Sequence, residues 1–350
     1  MEKQSGRLLS LDVMRGLIMI LLAAESCRVY ESVRELHENG IINQFFHHPW
    51  HGLRFWDLVQ PAFMLMAGTA MYISYESKLK KGVSWRKNFR HIAIRSVKLF
   101  LLGTGLHCIY SGKLVWELWN VLTQLSVTSI IAYLVIGRSY TVQIITGFAL
   151  ILLNDILYRS ILMPGFDQPF VEYHNFGAYM DTLLMGKINP DGWVAINIIP
   201  TAAHTIWGVT AGKWLMSVAD SNRKTYTLII AGVLLLFAGF AADISGLSPV
   251  IKRISTAGFV LVSAGWVLLI MAFLYWWTDI KGHTRYTWIP VVVGTNAIFI
   301  YMFFETLGAQ WLNGVVGIFV PVHVIAALVT LFLEWYLCYW LYQRKIFFKL

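Results

Sequence analysis

Residues 47–68 read HHPWHGLRFWDLVQPAFMLMAG. Three histidines, His47, His48 and His51, stand ahead of an apolar segment that Asp57 opens, and Pro61 follows Asp57 by four residues. Proline has no N–H for the carbonyl four residues back, so a helix running through both would leave the Asp57 carbonyl unbonded. A carboxylate and an unbonded carbonyl at the mouth of a membrane helix are costly unless a site uses them. The stretch therefore reads as a polar loop entering a membrane span. Two meanings stay open: a reactive site, or an interfacial loop whose histidines and tryptophans rest at headgroup level.

The rest of the chain agrees with a membrane location. Of 350 residues, 57% are hydrophobic and only 13% charged, where a soluble domain carries about a quarter charged. The mean hydropathy is +0.60. Apolar runs of about 20 residues recur at about 9–29, 56–76, 92–111, 117–136, 141–159, 194–216, 225–243, 254–277, 287–308 and 318–342. This predicts an all-α, polytopic integral membrane protein of about ten transmembrane helices, forming one domain over 1–350. The first run lacks a small-residue cleavage site and leads into further spans, so it reads as a first span rather than a removed signal peptide. Aromatic residues, 15% of the chain, suit belts at many helix ends.

Lysine and arginine set the orientation. Alternate segments collect them, most densely Lys78, Lys80, Lys81, Arg86, Lys87 and Arg90. The other segments hold Arg34, Arg54, Lys113, Lys187, Lys252 and Arg253 against Glu31, Glu35, Glu38, Asp167, Glu172, Asp181 and Asp191. Both ends are thus predicted to be cytoplasmic, with His47 on the opposite, outer side. Two outer loops are long, 30–55 and 160–193, and the second is too apolar and aromatic for a disordered linker. The second is predicted to fold over the outer mouth as a lid or partly re-entrant segment, or to lie along the lipid surface. The net charge of +9 suits anionic lipid or an anionic substrate, not nucleic acid. Cys27, Cys108 and Cys338 are scattered, with no metal-binding spacing and no disulfide framework.

Several stretches resemble one family in order along the chain. RLLSLDVMRGLIMILL (7–22) is similar to its first-span opening, and 47–68 to its histidine signature. NVLTQLSVT (120–128) resembles its fourth-span motif, and NPDGW with GVTAGKWL (189–193, 208–215) its sixth-span pattern. Residues 248–282 and 294–305 resemble its last third. The family is that of the membrane-bound heparan-α-glucosaminide N-acetyltransferases and their bacterial relatives. The resemblance implies transfer of an acetyl group from cytosolic acetyl-CoA to an amino sugar across the membrane, in a bacterial inner membrane, by a homodimer and without a metal. His47, three residues before Trp50, matches the family's catalytic histidine, and Asp57 its following acidic residue. One departure concerns the acceptor side: Glu25 stands where relatives usually have asparagine, with Arg28 three residues on.

The chemistry fits these residue types. A sugar ammonium must lose a proton before its nitrogen attacks a thioester. Histidine, with an ordinary pKa of about 6.5, takes such a proton near neutral pH. It can instead accept the acetyl group and pass it on. Both routes stay open here. A carboxylate such as Asp57 holds the imidazole tautomer and supports its charged form. Asn296, inside the ninth predicted span, is a candidate donor to the thioester oxyanion, or an interhelix hydrogen bond. Arg90, Arg95 and Lys98, entering the third span together, are candidate ligands of the CoA phosphates, beside a role in orientation and lipid binding. Gln124 is a further donor-site candidate. Glu25, Trp50 and His51 are candidates for the acceptor sugar. Asp12 and Arg15 are three apart on one helical face, so they pair or line the donor's way in. Two other readings stand beside this one. The acceptor can be a hydroxyl on a glycan or envelope component, or the chain can be a solute transporter. A transporter predicts repeat symmetry and broken helices in matching halves, neither visible in the sequence.

Overall fold

The computed structural model describes residues 8–348. Among them the chain is helical, and β-structure is limited to two isolated bridges, His51 to Ile251 and Met163 to Phe166. The helices are α1 (Leu9–Ser26), α2 (Val29–Leu36), α3 (Val59–Lys80), α4 (Trp85–Ser111), α5 (Val121–Leu134), α6 (Tyr140–Ser160), α7 (Phe176–Met185), α8 (Ile198–Leu215), α9 (Ser221–Ile244), α10 (Ala257–Leu274), α11 (Trp288–Thr295), α12 (Ala297–Phe303), α13 (Asn313–Phe319) and α14 (His323–Gln343). Two π-helical stretches, Tyr275–Ile280 and Phe304–Leu312, follow α10 and α12.

A helix lies at each of the ten apolar runs. By length and composition, however, five are fit to cross a membrane: α4, α6, α9, α10 with its π extension, and α14. A sixth would be α11 joined to 297–319, which is bent by 77° at the break between α11 and α12. Two of the others fall short for visible reasons. Asp12, Arg15 and Glu25 lie in α1, and α5 has 14 residues. The bend is itself a departure from the sequence reading, which found no broken helix.

The chain divides into two compact units. The first comprises residues 8–47, 54–56 and 273–348, and the second 48–53 and 57–272.

In the second unit α3 and α8 meet backbone to backbone. Gly68 lies against the Thr205 carbonyl and Gly208 against the Leu65 carbonyl, and a Cβ at either would collide. Thr69 Oγ1 donates to the Gly208 carbonyl at 2.9 Å. Ile206 and Val209 of α8 pack with Tyr133 and Ile136 beside them in a fully buried cluster.

In the first unit α1 is preceded by Leu8, which offers no side-chain cap. The first N–H groups of a helix need outside acceptors. Asp279 supplies them: Leu9 N and Ser10 N donate to its two carboxylate oxygens, each at 2.9 Å. A carboxylate there also meets the positive end of the helix dipole.

Candidate functional site

The 47–57 stretch contributes to both units, so each half is built separately. In the first unit it joins an aromatic cluster. Tyr30 stacks on Phe45 with ring centroids 4.8 Å apart and meets Trp56 edge-on at 5.3 Å. The half-buried His47 imidazole lies 6.5 Å from the Trp56 ring, centroid to centroid. Arg54 Nη1 donates to the His47 carbonyl at 3.0 Å, and Phe55 N to Gln44 Oε1 at 3.1 Å. Local hydrogen bonds and stacking therefore hold the backbone on which His47 sits.

In the second unit the loop 48–53 is fastened to the segment before α10. Gly52 N donates to the Val250 carbonyl at 2.8 Å. His51 Nε2 lies 2.7 Å from Asp243 Oδ1, which also accepts from Val250 N at 3.0 Å. Trp50 Nε1 donates to the Phe170 carbonyl at 2.8 Å. Gly52 has φ +134°, a region that side chains disfavour, and a Cβ there would strike the His48 ring. Trp50 and His51, assigned to the acceptor from sequence, here anchor the loop.

Asp57 is 1% exposed. It accepts from His48 N at 3.3 Å through Oδ2. Its Oδ1 lies 3.5 Å from Lys252 Nζ, and the Lys252 ammonium stands 5.3 Å over the Trp193 ring. Asp57 is in a 3-10 turn, Phe55–Leu58, and α3 begins only at Val59. This corrects the expectation of a helix running through Asp57. Pro61 falls in the first helical turn, where a missing N–H costs nothing. Lys252 was missed as a site residue. It reads in sequence as an outer-loop cation, and only the fold brings it to Asp57.

The long outer loop is ordered around a second carboxylate. Trp119 Nε1 donates to Asp181 Oδ2 at 2.7 Å, and Ala195 N to Oδ1 at 2.9 Å. Burial pushes the Asp181 carboxyl up to about 6, against the pull of these hydrogen bonds. Glu117 pairs with Lys187 and lies 2.6 Å from His107 Nδ1. Burial raises its carboxyl, but the bonds from Lys187 and His107 outweigh that and hold it below the usual carboxylate value. Arg253 Nη1 meets Glu172 Oε1 at 2.9 Å.

The remaining predicted residues divide between the units. In the second, Gln124 sits in a buried amide chain. It accepts from Gln60 Nε2 and donates to Asn197 Oδ1 at 2.7 Å. Arg90 and Lys98 are exposed on α4, and Arg95 is half-buried. In the first unit Asp12 and Arg15 pair at 3.6 Å. Glu25 is exposed near the end of α1, and Arg28 pairs with Glu31 at 2.7 Å. Asn296 is fully buried at the break between α11 and α12. Its Nδ2 donates to the Ile346 carbonyl at 3.0 Å, and its Oδ1 accepts from Phe348 N at 2.9 Å. Among the described residues no group of three or more His, Cys, Asp and Glu side chains is placed to hold a metal ion.

Residues 7–242 match the family model described as "Heparan-alpha-glucosaminide N-acetyltransferase, catalytic". The heparan-alpha-glucosaminide N-acetyltransferase of Mus musculus is 23% identical over 419 aligned residues, covering 100% of this chain and 61% of that protein. The one from Homo sapiens is 25% identical over 415, covering 98% and 60%. The chain thus spans about three-fifths of the length of these relatives. The family match takes in the histidine stretch and α1 to α8 and covers well over half of the described helices' run. With the loop geometry of 47–57 and this match in hand, the chain belongs to the heparan-alpha-glucosaminide N-acetyltransferase catalytic family.

Proposed function

We propose that the protein is an integral membrane acetyltransferase that moves the acetyl group of acetyl-CoA onto the amino group of a glucosamine-type sugar. The observation that carries this reading is the family match over 7–242, which contains His47 and Asp57. The topology proposed with it has about ten spans in one domain, both ends in the cytoplasm, the histidine stretch on the outer side, and residence in a bacterial inner membrane as a homodimer.

In this mechanism His47 removes a proton from the sugar ammonium. The freed amine nitrogen attacks the thioester carbon, the C–N bond forms, the C–S bond breaks, and the CoA sulfur leaves and takes up a proton. Acetyl transfer through His47 itself gives the same products in two steps. Asp57 is the supporting carboxylate, acting through the loop whose His48 N–H it accepts. Lys252 Nζ stands 3.5 Å from that carboxylate and partners it. Arg90, Arg95 and Lys98 receive the CoA phosphates. Asn296 and Gln124 serve the donor as buried amides, and a thioester carbonyl at Asn296 would take the place now held by the Ile346 carbonyl. Glu25 is assigned to the acceptor, and Trp50 and His51 serve it through the loop that they anchor.

The test is CoA release from acetyl-CoA by the purified full chain on adding glucosamine. Release with glucosamine but not with N-acetylglucosamine supports amino transfer. Release with both assigns a hydroxyl acceptor instead, and no release with either, alongside uptake of a sugar by proteoliposomes, would establish the transporter reading.

A further inference from the structure

Asn296 is fully buried where α11 gives way to α12, at a break that bends the apolar run by 77°. A broken helix in such a run leaves polar groups that something other than the helix must answer. Here the segment beyond α14 answers them. Asn296 Nδ2 donates to the Ile346 carbonyl at 3.0 Å, and Phe348 N donates to Asn296 Oδ1 at 2.9 Å. One side-chain amide thus reads a carbonyl and an N–H at once.

The segment is lightly held. Ile346, Phe347 and Phe348 are all exposed. Phe348 stacks on Phe299 of α12 with ring centroids 4.7 Å apart. The chain leaves α14 through Lys345, whose φ is +57°. Lys345 N donates to the Tyr342 carbonyl and Ile346 N to the Leu341 carbonyl, each at 3.0 Å. This helix-ending turn favours glycine at its left-handed position. A lysine there is strained and marks the hinge of the segment.

The two groups on Asn296 have a chemical match in the donor. Between the Ile346 carbonyl carbon and the Phe348 nitrogen stand N, Cα and C of Phe347. Between the thioester carbonyl carbon of acetyl-CoA and the nearest amide nitrogen of its pantetheine arm stand the sulfur and two methylene carbons. Carbonyl and N–H are therefore equally spaced along both chains. A thioester without that N–H would answer Nδ2 and leave Oδ1 buried with no donor, which is costly. We propose that residues 346–348 stand in for the acyl-cysteamine end of the donor, and that acetyl-CoA displaces them to set its thioester carbonyl and cysteamine N–H on Asn296. The inference rests on the donor assignment made above for Asn296, and adds the second group that is read and the segment that guards the place.

The test is hydrogen exchange at 346–348 in the full chain in lipid nanodiscs, with acetyl-CoA binding measured by calorimetry on the same sample. Saturating acetyl-CoA should speed exchange of the Phe348 amide by about threefold or more, within the worth of one net hydrogen bond. S-acetyl-N-acetylcysteamine should do the same. Its N-methyl analogue, which keeps the carbonyl and lacks the N–H, should not. Phe348→Pro, which removes the competing N–H from the segment, should bind acetyl-CoA about threefold more tightly than wild type. Acetyl-CoA that binds but leaves exchange at 346–348 unchanged or slower would overturn the proposal and leave the donor assignment standing. Acetyl-CoA that does not bind would remove both. Equal action of the two small probes, or no gain in affinity in Phe348→Pro, would also overturn the proposal.

Discussion

Asp57 and Lys252 form a buried ion pair, with Nζ 3.5 Å from Oδ1 and the two side chains 1% and 7% exposed. Buried pairs are poor sources of net stability, but removing one partner strands a charge at a cost of about 3–5 kcal/mol. Lys252→Met is therefore expected to lower the unfolding midpoint clearly and to reduce acetyl transfer. Asp57→Asn should do the same. The double variant should lose less than the sum of the two, because no lone charge remains. Thermal unfolding of the four proteins in one detergent checks this, and strict additivity would count against the pair as a unit.

Asp279 holds the start of α1 by accepting from Leu9 N and Ser10 N. Losing such a cap typically costs about 0.5–2 kcal/mol. Asp279→Ala should destabilise by that order and raise amide exchange in the first turn of α1. Asp279→Asn, which retains an acceptor, should cost less. Hydrogen exchange that leaves the first turn of α1 unchanged in Asp279→Ala would contradict the cap.

Neither relationship was legible in the chain. Lys252 and Asp279 lie far along the sequence from the groups they serve, and each looks locally like an ordinary loop or helix-end charge. The apolar runs were legible because length and hydropathy are local, and all ten fall on helices. The 47–57 stretch stood out because its motif is contiguous. The break at Asn296 was not, since no proline or glycine pair marks it: Gly294 and Thr295 precede it and Ala297 follows. Gln60, Gln124 and Asn197 are single amides in separate runs, and only packing joins them.

Asp181 gives a pH signature. Its carboxyl is raised from 3.8 to about 6, chiefly by burial. A carboxyl raised in the fold binds its proton more tightly there than in the unfolded chain. Its contribution is therefore most favourable below the unfolded value and is lost as pH rises through the folded one. Stability should fall between about pH 4 and pH 6 by about 3 kcal/mol, at 1.36 kcal/mol per unit. Asp181→Asn should flatten that slope. An identical pH dependence of the unfolding midpoint in both proteins would refute the assignment.

Arg95 and Lys98 lie on α4 in the most basic part of the chain. If they receive the CoA phosphates, Arg95→Ala and Lys98→Ala should weaken acetyl-CoA binding and make it less sensitive to salt. Titration calorimetry at two ionic strengths reads both effects. Unchanged affinity in both variants would return these side chains to orientation and lipid contact.

The central claim is that His47 does the chemistry, and acetyl transfer by His47→Ala tests it most directly. Each variant is purified, checked for monodispersity and donor binding, and assayed with acetyl-CoA and glucosamine. His47→Ala should lose at least about 10²-fold in turnover, the usual minimum for a general base, while still binding acetyl-CoA. His48→Ala and His51→Ala should lose much less. Near wild-type turnover by a folded His47→Ala protein would contradict the account.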